Sequence, residues 1–240
     1  MTAVQSMSAF LLIGVIGLLG SRSGDVAQSD ALSQRTTAPS VGLPPDIHAD
    51  SLARLPKVKR EDLDAEGQRV YDLIVNPASR YRDGLWGPVG MWMHSPPMAE
   101  HMFAASTYLR FGTALDQRLT ELAILVTARE LDAQFEWTSH EPSALRAGLE
   151  PAIVDIVKHR KSTAGLGPTE ALIIQFGREL IGAHKLSAPT FAKALSTFGR
   201  QGVTNLTGLM AYYRFNTTFI DALNVHLRAD QKPLLPPIGN

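Results

Sequence analysis

The sequence contains no cysteine among its 240 residues. Disulfides, thiolate metal ligands, iron–sulfur clusters and thiol redox chemistry are therefore excluded. An excess of charge of one sign is also missing, because 23 lysines and arginines balance 23 aspartates and glutamates. Without a basic excess to displace counterions from a phosphate backbone, nucleic acid is not an expected partner.

Long hydrophobic runs are scarce, and the one near the N-terminus, residues 9–20, is too short to span a membrane. A helix of that length covers about 18 Å, against roughly 30 Å of hydrocarbon. Small and polar residues follow, and small residues precede Asp30 at the positions that a signal peptidase reads. Residues 1–29 are therefore predicted to be a secretory signal peptide, and the mature protein would be periplasmic or secreted, with no membrane partner.

The run is not preceded by lysine or arginine, which leaves open an uncleaved anchor or a start at Met7. Without a functional leader, the protein would be cytoplasmic. Residues 30–56 are rich in serine, proline and alanine and predict a linker. Residues 57–240 are predicted to form the functional domain.

Sustained alternation of β-branched and polar residues is nearly absent from this domain, so strands are not expected. Apolar residues instead recur at helical spacing between capping residues, prolines and glycines. The pattern predicts an all-α bundle whose helices cover residues 62–75, 97–111, 116–131, 133–147 (kinked near Pro142), 152–159, 168–183, 187–198 and 203–227.

The domain contains two segments with a similar local sequence. A Phe-Gly pair at 111–112 is followed, eight residues after the Phe, by L-T-x-L at 119–122. A second Phe-Gly pair at 198–199 is followed at the same spacing by L-T-x-L at 206–209. The offset of 87 residues is compatible with a duplicated helix-turn-helix unit. Coincidence among common residues is the alternative.

Glu121 lies in the most apolar predicted helix. At helical spacing its neighbours on the same face are Ile124, Leu125 and Ala128. A carboxylate on such an apolar helix face either pairs with a cation or a hydrogen-bond donor, or has a raised pKa. Both states are useful in catalysis. The alternative is a structural contact with a neighbouring helix.

Glu136 and His140 form a second candidate pair. At a spacing of four residues they share one helical face, where a carboxylate can fix the tautomer of an imidazole. General acid–base catalysis requires such a histidine, with a pKa near neutrality. The same pair is also common on solvated helix faces without any function.

The segment around these residues resembles the carboxymuconolactone decarboxylase family, which shares its helical fold with the AhpD-like alkylhydroperoxidases. The resemblance is carried by E-L-A-I-L at 121–125, E-W-x-x-H at 136–140 and A-G-L at 147–149. Upstream, Gly87-Pro88 and the H-S-P at 94–96 are similar to the entry segment of this family. The likeness covers roughly residues 55–227 and implies an AhpD-like fold.

The peroxidase branch of that superfamily has a C-x-x-C pair twelve and fifteen residues after a glutamate, and a histidine after nineteen. Counted from Glu121, these positions hold Ala133, Glu136 and His140. Both cysteines are missing, so thiol peroxidase activity is not expected. The E-W-x-x-H form is similar to the lactone decarboxylase branch.

The resemblance therefore implies a lyase that needs no cofactor and acts on a small carboxylated or lactone substrate. Such an enzyme must stabilise a dienolate and deliver a proton. We expect His140 to donate the proton, Glu136 to orient it, and Glu121 to serve as a second acid or structural partner. Substrate-binding candidates outside this group are His94, Trp86, Trp137 and Arg129.

Two other functions remain open at this point. Glu121, Glu136, His140 and His94 could together hold a divalent metal, although the resemblance implies no metal. A helical oligomer that binds a small aromatic or hydrophobic molecule without catalysis is the other alternative. The resemblance also implies homo-oligomers, either trimers or hexamers.

Overall fold

The structure is a computed structural model that describes residues 43–238. In this part of the chain it is helical; no strand forms, and one isolated β-bridge joins His48 to Ala53. The predicted all-α class is confirmed. The predicted signal peptide and residues 30–42 of the predicted linker lie outside the described residues.

Eight α-helices form between residues 43 and 238, preceded by a short 3₁₀ turn at Arg60–Asp62. They are α1 (Ala65–Ile74), α2 (Gly87–Trp92), α3 (Pro96–Thr107), α4 (Gln117–Glu130), α5 (Gln134–Arg146), α6 (Pro151–Lys158), α7 (Pro168–Gly177) and α8 (Ala188–Ala222).

The helix starts follow from local chemistry. Asp64, Asp116 and Ser187 are N-caps, and each side chain accepts a hydrogen bond from the backbone N–H three residues later. Prolines stand in the first turn of α2, α3, α6, α7 and α8, where the missing N–H costs nothing.

Helix α4 forms the centre of the core. Ten consecutive residues, 120–129, are buried on all sides of this helix. It packs against α5, α6, α7 and α8, and the α4–α5 turn is short, with Asp132 in the left-handed region (φ 51°). Helices α4 and α5 therefore lie side by side, which brings Glu121 and His140 into contact range.

Helix α8 is interrupted where the sequence predicted a break. Gly199 has φ 68° and ψ −179°, so the residues before and after it form separate helical stretches. Five-residue π-helical turns follow α3 and α7, at Tyr108–Gly112 and Arg178–Gly182. Gly112 ends a π turn whereas Gly199 breaks a helix, so the two segments of similar sequence differ in local structure.

Two features of the domain differ from the sequence pattern. Helix α2 was not predicted, because its six buried residues are too few to show a helical period. Residues 43–56, within the predicted linker, contact the end of α8: the Arg54 N–H donates to Leu223 O, and the His226 N–H donates to Leu52 O, both at 2.8 Å. Among residues 43–238, no helix is long and apolar enough to cross a membrane.

Candidate active site

The site is built on a buried hydrogen bond between two neighbouring helices. His140 Nδ1 of α5 lies 2.7 Å from Glu121 Oε2 of α4. The other oxygen, Glu121 Oε1, accepts a hydrogen bond from Arg110 Nη2 at 3.1 Å. All three side chains are buried, so Glu121 joins a histidine to a guanidinium away from water.

The charges in this group follow from their contacts. Burial opposes ionisation of Glu121, but His140 and Arg110 outweigh it and lower its pKa. Burial also lowers the pKa of His140, against the opposing effect of the Glu121 carboxylate. Near neutral pH, a neutral His140 therefore donates its Nδ1–H to a charged Glu121, and Nε2 is left as an acceptor.

Glu136 faces that acceptor. Its Oε2 lies 3.6 Å from His140 Nε2, one helical turn away on α5. Burial raises the pKa of Glu136 to about 7, despite the opposing effect of Arg80, Arg110 and Asn216. Glu136 is therefore partly protonated at neutral pH, and its proton lies near an unprotonated imidazole nitrogen.

The pairing differs from the one that helical spacing predicted. We expected Glu136 to orient His140 from the same helix, but the hydrogen bond to the ring comes from Glu121 across the α4–α5 contact. The contact between the two helices brings Glu121 closer to the ring than the i, i+4 spacing brings Glu136.

A small cavity adjoins these groups. Its volume is about 40 Å³, which is space for about three water molecules. Arg80 and Trp86 are among the residues that line it, and Tyr213 stands edge-on to the His140 ring, with the ring centres 5.0 Å apart. The inner cavity, as we call it, is lined by Arg80, Tyr81, Trp86, Pro88, Val89, Trp92, Ser106, Arg110, Phe135, Glu136, Ser139, His140, Tyr212, Tyr213 and Asn216.

A larger cavity lies next to it. This outer cavity has a volume of about 420 Å³ and opens to solvent, which is within the usual range for small-molecule sites. Arg80, Trp86 and Phe135 line both cavities, which therefore adjoin. The Trp86 ring lies 4.8 Å from Arg80 Cζ and 5.5 Å from Arg228 Cζ. The outer cavity is also lined by Lys57, Asp50 and Asp83.

Of the four substrate-binding candidates, the structure brings only Trp86 to the cavities. His94 is exposed, and its Nε2 contacts the carbonyl of Pro56 at 3.0 Å. Trp137 is buried against Lys158 and hydrogen-bonds to Glu141. These two side chains line neither cavity.

Arg129 is the fourth candidate, and it also lies away from both cavities. It is buried, and its Nη1 donates to the carbonyls of Pro236 at 2.9 Å and Lys158 at 3.2 Å. Its Nη2 donates to Asp132. Arg129 thus ties α4 to the C-terminal segment and to the end of α6. The cations at the inner cavity are Arg80 and Arg110, which sequence reasoning missed.

The missed residues share a physical reason. Arg80 lies in the irregular segment between α1 and α2, where helical periodicity makes no prediction. Arg110 lies at the end of the helix predicted over residues 97–111, but a π turn forms there, and its side-chain directions do not follow the α-helical period. Tyr212, Tyr213 and Asn216 come from α8, about 75 residues along the chain from His140. Only the packing of α8 against α5 brings them to the inner cavity.

The residues that were considered as metal ligands do not converge. Glu121, Glu136 and His140 meet, but His94 contacts Pro56 elsewhere. From residue 43 to residue 238, no group of three or more histidine or acidic side chains has an arrangement suited to a metal ion.

The fold is similar to that of a solved structure, the "alkylhydroperoxidase AhpD core" of an uncharacterized peroxidase-related protein from Ralstonia eutropha JMP134. The TM-score is 0.59 at 14% sequence identity, and the match covers 75% of this chain and 94% of that one. The similarity shows an AhpD-like helical fold. No protein-family model and no curated protein matches the sequence.

Proposed function

We propose that this chain is a cofactor-free carboxy-lyase that acts on a small carboxylated or lactone substrate by general acid–base catalysis. The observation that carries the proposal is the buried series Glu121–His140–Glu136. In it, a charged carboxylate holds the imidazole, and a second carboxyl with a pKa of about 7 faces the free ring nitrogen. The resemblance of the surrounding sequence to carboxymuconolactone decarboxylases supports the same reaction class.

The reaction needs little from the protein. The bond between a ring carbon and the carboxylate breaks, CO₂ leaves, and the electron pair moves into the unsaturated lactone as a dienolate. A proton then adds to carbon, so that carboxylate plus one proton gives product plus CO₂. The substrate itself accepts the electrons, and the protein must supply the proton and stabilise the charge.

Glu136 and His140 are the proton source in this proposal. The proton lies between the Glu136 carboxyl and His140 Nε2, which are 3.6 Å apart, and it is replaced from solvent after each turnover. Glu121 keeps the ring in one orientation through Nδ1. Arg110 and Arg80 place positive charge beside the cavity, which favours an anionic dienolate.

Thiol peroxidase chemistry is not part of the proposal. The solved structure with the similar fold is described as peroxidase-related, but this sequence contains no cysteine. Where the peroxidase branch has its two thiols, this chain has Ala133 and Glu136. A carboxyl group at the second position can exchange protons but cannot form a sulfenate or a disulfide.

The test is CO₂ release from 4-carboxymuconolactone by the full chain, the His140→Ala variant and the matched control His94→Ala. Loss of a general acid–base group lowers kcat by about 10²–10⁴-fold. We expect that loss for His140→Ala and unchanged turnover for His94→Ala, whose side chain is exposed and outside both cavities. A folded wild-type protein that releases no CO₂ overturns the proposal for this substrate. Binding without turnover would favour the ligand-binding alternative.

A further inference from the structure

The inner cavity collects polar atoms that the protein does not satisfy. In the described residues, eight buried side-chain nitrogen and oxygen atoms have no hydrogen-bond partner. Six of the eight belong to residues that line this one cavity of about 40 Å³. They are Trp92 Nε1, Arg110 Nε, Glu136 Oε1, Ser139 Oγ, Tyr212 OH and Asn216 Oδ1. Buried polar atoms without a partner are uncommon, so their concentration in one cavity indicates a polar occupant.

Four of these six atoms can donate a hydrogen bond. The indole N–H of Trp92 and the Nε–H of Arg110 are pure donors, and the hydroxyls of Ser139 and Tyr212 can turn to donate. Asn216 Oδ1 is a pure acceptor, and Glu136 Oε1 accepts when the carboxyl is ionised and can donate when it is protonated. A cavity rich in donors and flanked by the guanidinium of Arg110 favours an oxyanion over a cation.

The size of the cavity restricts the occupant. Its volume equals about three water molecules, which is the size of a carboxylate or of the C–C–O part of an enolate. A whole ring compound does not fit there. The adjoining outer cavity, about ten times larger in volume, has space for a ring, and the two cavities share Arg80, Trp86 and Phe135 as lining residues.

We infer that the inner cavity is an oxyanion pocket, in which Trp92, Ser139 and Tyr212 hold a planar carboxylate or enolate group of the substrate while its ring lies in the outer cavity beside Trp86. The inference rests on the proposed function for the enolate form. Binding of a simple carboxylate, by contrast, is measurable without turnover.

Glu136 makes the pocket dependent on pH. It faces the same cavity as the bound oxyanion, so its ionisation places two negative charges together. The titratable and charged groups around it come from every packed element: Arg80 and Tyr81 before α2, Arg110 after α3, Glu121 on α4, His140 on α5, and Tyr212 and Tyr213 on α8. Because the pKa of Glu136 is about 7, an anion is expected to bind with one proton and to weaken about tenfold per pH unit above that value.

Formate is the probe, because it is a carboxylate of three heavy atoms and stays ionised throughout the range. Its affinity is measured by calorimetry on the full chain between pH 7 and 9. We expect Ser139→Ala and Tyr212→Phe each to weaken formate binding by about tenfold or more, since each removes a hydrogen bond to a charged group. The matched controls Ser143→Ala and Tyr108→Phe, outside the inner cavity, should bind like wild type. Glu136→Gln should bind formate with no pH dependence.

Undetectable formate binding, or equal affinity in wild type, Ser139→Ala and Tyr212→Phe, overturns the inference and leaves the cavity to water. Circular dichroism of both variants shows whether each is folded, and the second variant keeps the test valid if the first is not. With 4-carboxymuconolactone, a lower kcat at unchanged KM in Ser139→Ala indicates that the pocket holds the enolate, and a higher KM indicates the carboxylate. Formate binding without turnover of 4-carboxymuconolactone supports the pocket and rejects the lyase proposal for that substrate.

Discussion

Glu136 is the residue whose ionisation matters most to this molecule. The residue is 3% exposed, and Oε1 has no partner in residues 43–238. Its pKa is raised from 4.5 to about 7 in the folded protein, so folding takes up a proton between those two pH values. The associated stability is fully present below about pH 4.5 and is lost as the pH rises through about 7.

The Glu136→Gln variant tests this linkage. Glutamine keeps the shape and removes the ionisation, so we expect the variant to be more stable than wild type by about 3 kcal/mol at pH 8.5 and about equal to it at pH 4.5. Urea unfolding at the two pH values measures the difference. The exposed Glu61→Gln serves as control. A stability difference that does not change with pH would contradict the raised pKa.

Two arginines should respond to mutation in opposite ways. Arg80 is exposed and lines both cavities, so Arg80→Ala should change stability by less than about 0.5 kcal/mol and weaken formate binding by roughly fivefold. Arg129 is buried outside the cavities, where it donates hydrogen bonds to two backbone carbonyls. Arg129→Met should therefore cost about 3 kcal/mol of stability and leave formate affinity unchanged. Calorimetry and urea unfolding of both variants measure this. If Arg129→Met folds and loses formate binding, the sequence-based role of Arg129 in substrate binding is restored.

At the residue scale, the sequence predicted the helices that carry three acid–base side chains, but it did not predict which of these side chains are in contact. Glu121, Glu136 and His140 stand out because helical periodicity puts a charge on an apolar face or pairs it at four residues. Arg129 was chosen as the cation nearest in sequence and Trp137 as a pocket wall beside Glu136, and both are buried outside the two cavities. Periodicity identifies buried positions without distinguishing a core face from a cavity wall.

At the scale of the element, the start of α2 is the most constrained point near the cavities. Gly87 has φ 62°, a conformation that non-glycine residues rarely adopt, and a Cβ there would lie 3.0 Å from Phe135 Cζ. Phe135 lines both cavities. The glycine thus allows the start of α2 to approach a side chain that lines both cavities.

Gly87→Ala and Gly165→Ala form a matched pair, because Gly165 also has a positive φ (87°) but nothing within 4 Å of its added Cβ. Both variants should lose about 1–2 kcal/mol of stability from backbone strain. Only Gly87→Ala should also shift Phe135 and change the formate affinity. Urea unfolding and calorimetry distinguish the two effects. Equal formate affinity in both variants would show that the position of Phe135 does not affect the inner cavity.

The elements themselves were predictable where they are long and amphipathic. The N-caps at Asp116 and Ser187 and the break at Gly199 follow from local sequence, so the predicted helices start and stop close to the observed ones. Helix α2 and the two π turns were not predictable, because six residues or fewer do not complete a hydrophobic repeat. Arg110 lies in one of these π turns, at the end of a predicted helix, and its hydrogen bond to Glu121 of α4 is a contact between elements that local sequence does not show.

At the scale of the whole molecule, one apolar surface is not covered by any of the described residues. Leu73, Tyr108 and Phe111 are 45%, 45% and 60% exposed and line one shallow cavity of about 580 Å³. Arg110, whose Cζ lies 4.8 Å from the Phe111 ring, connects this surface to Glu121. The resemblance to carboxymuconolactone decarboxylases implies a trimer or hexamer, and we expect a second copy to cover this surface.

Phe111→Asp and Leu73→Asp should therefore sediment as smaller species than wild type, because a carboxylate in an apolar interface is costly to desolvate. Phe191→Asp, at a similarly exposed aromatic residue on α8 outside this surface, is the control. Sedimentation velocity on the full chains measures the size. A monomeric wild type, or variants that sediment like wild type, would reject this interface.

The sequence by itself determined the helical class, the caps and breaks of the long helices, and the absence of thiol chemistry. These depend on composition and on contacts within about one turn of chain, which periodicity and capping rules describe. It also marked Glu121, Glu136 and His140 as unusual on the same grounds.

Tertiary structure alone decided which carboxylate holds His140, which arginines lie at the cavities, and that unsatisfied donors from α2, α5 and α8 meet in one small cavity. These outcomes depend on how helices cross and on irregular segments between them. A local pattern does not encode the distance between residues 75 positions apart, because that distance is set by the packing of the whole core.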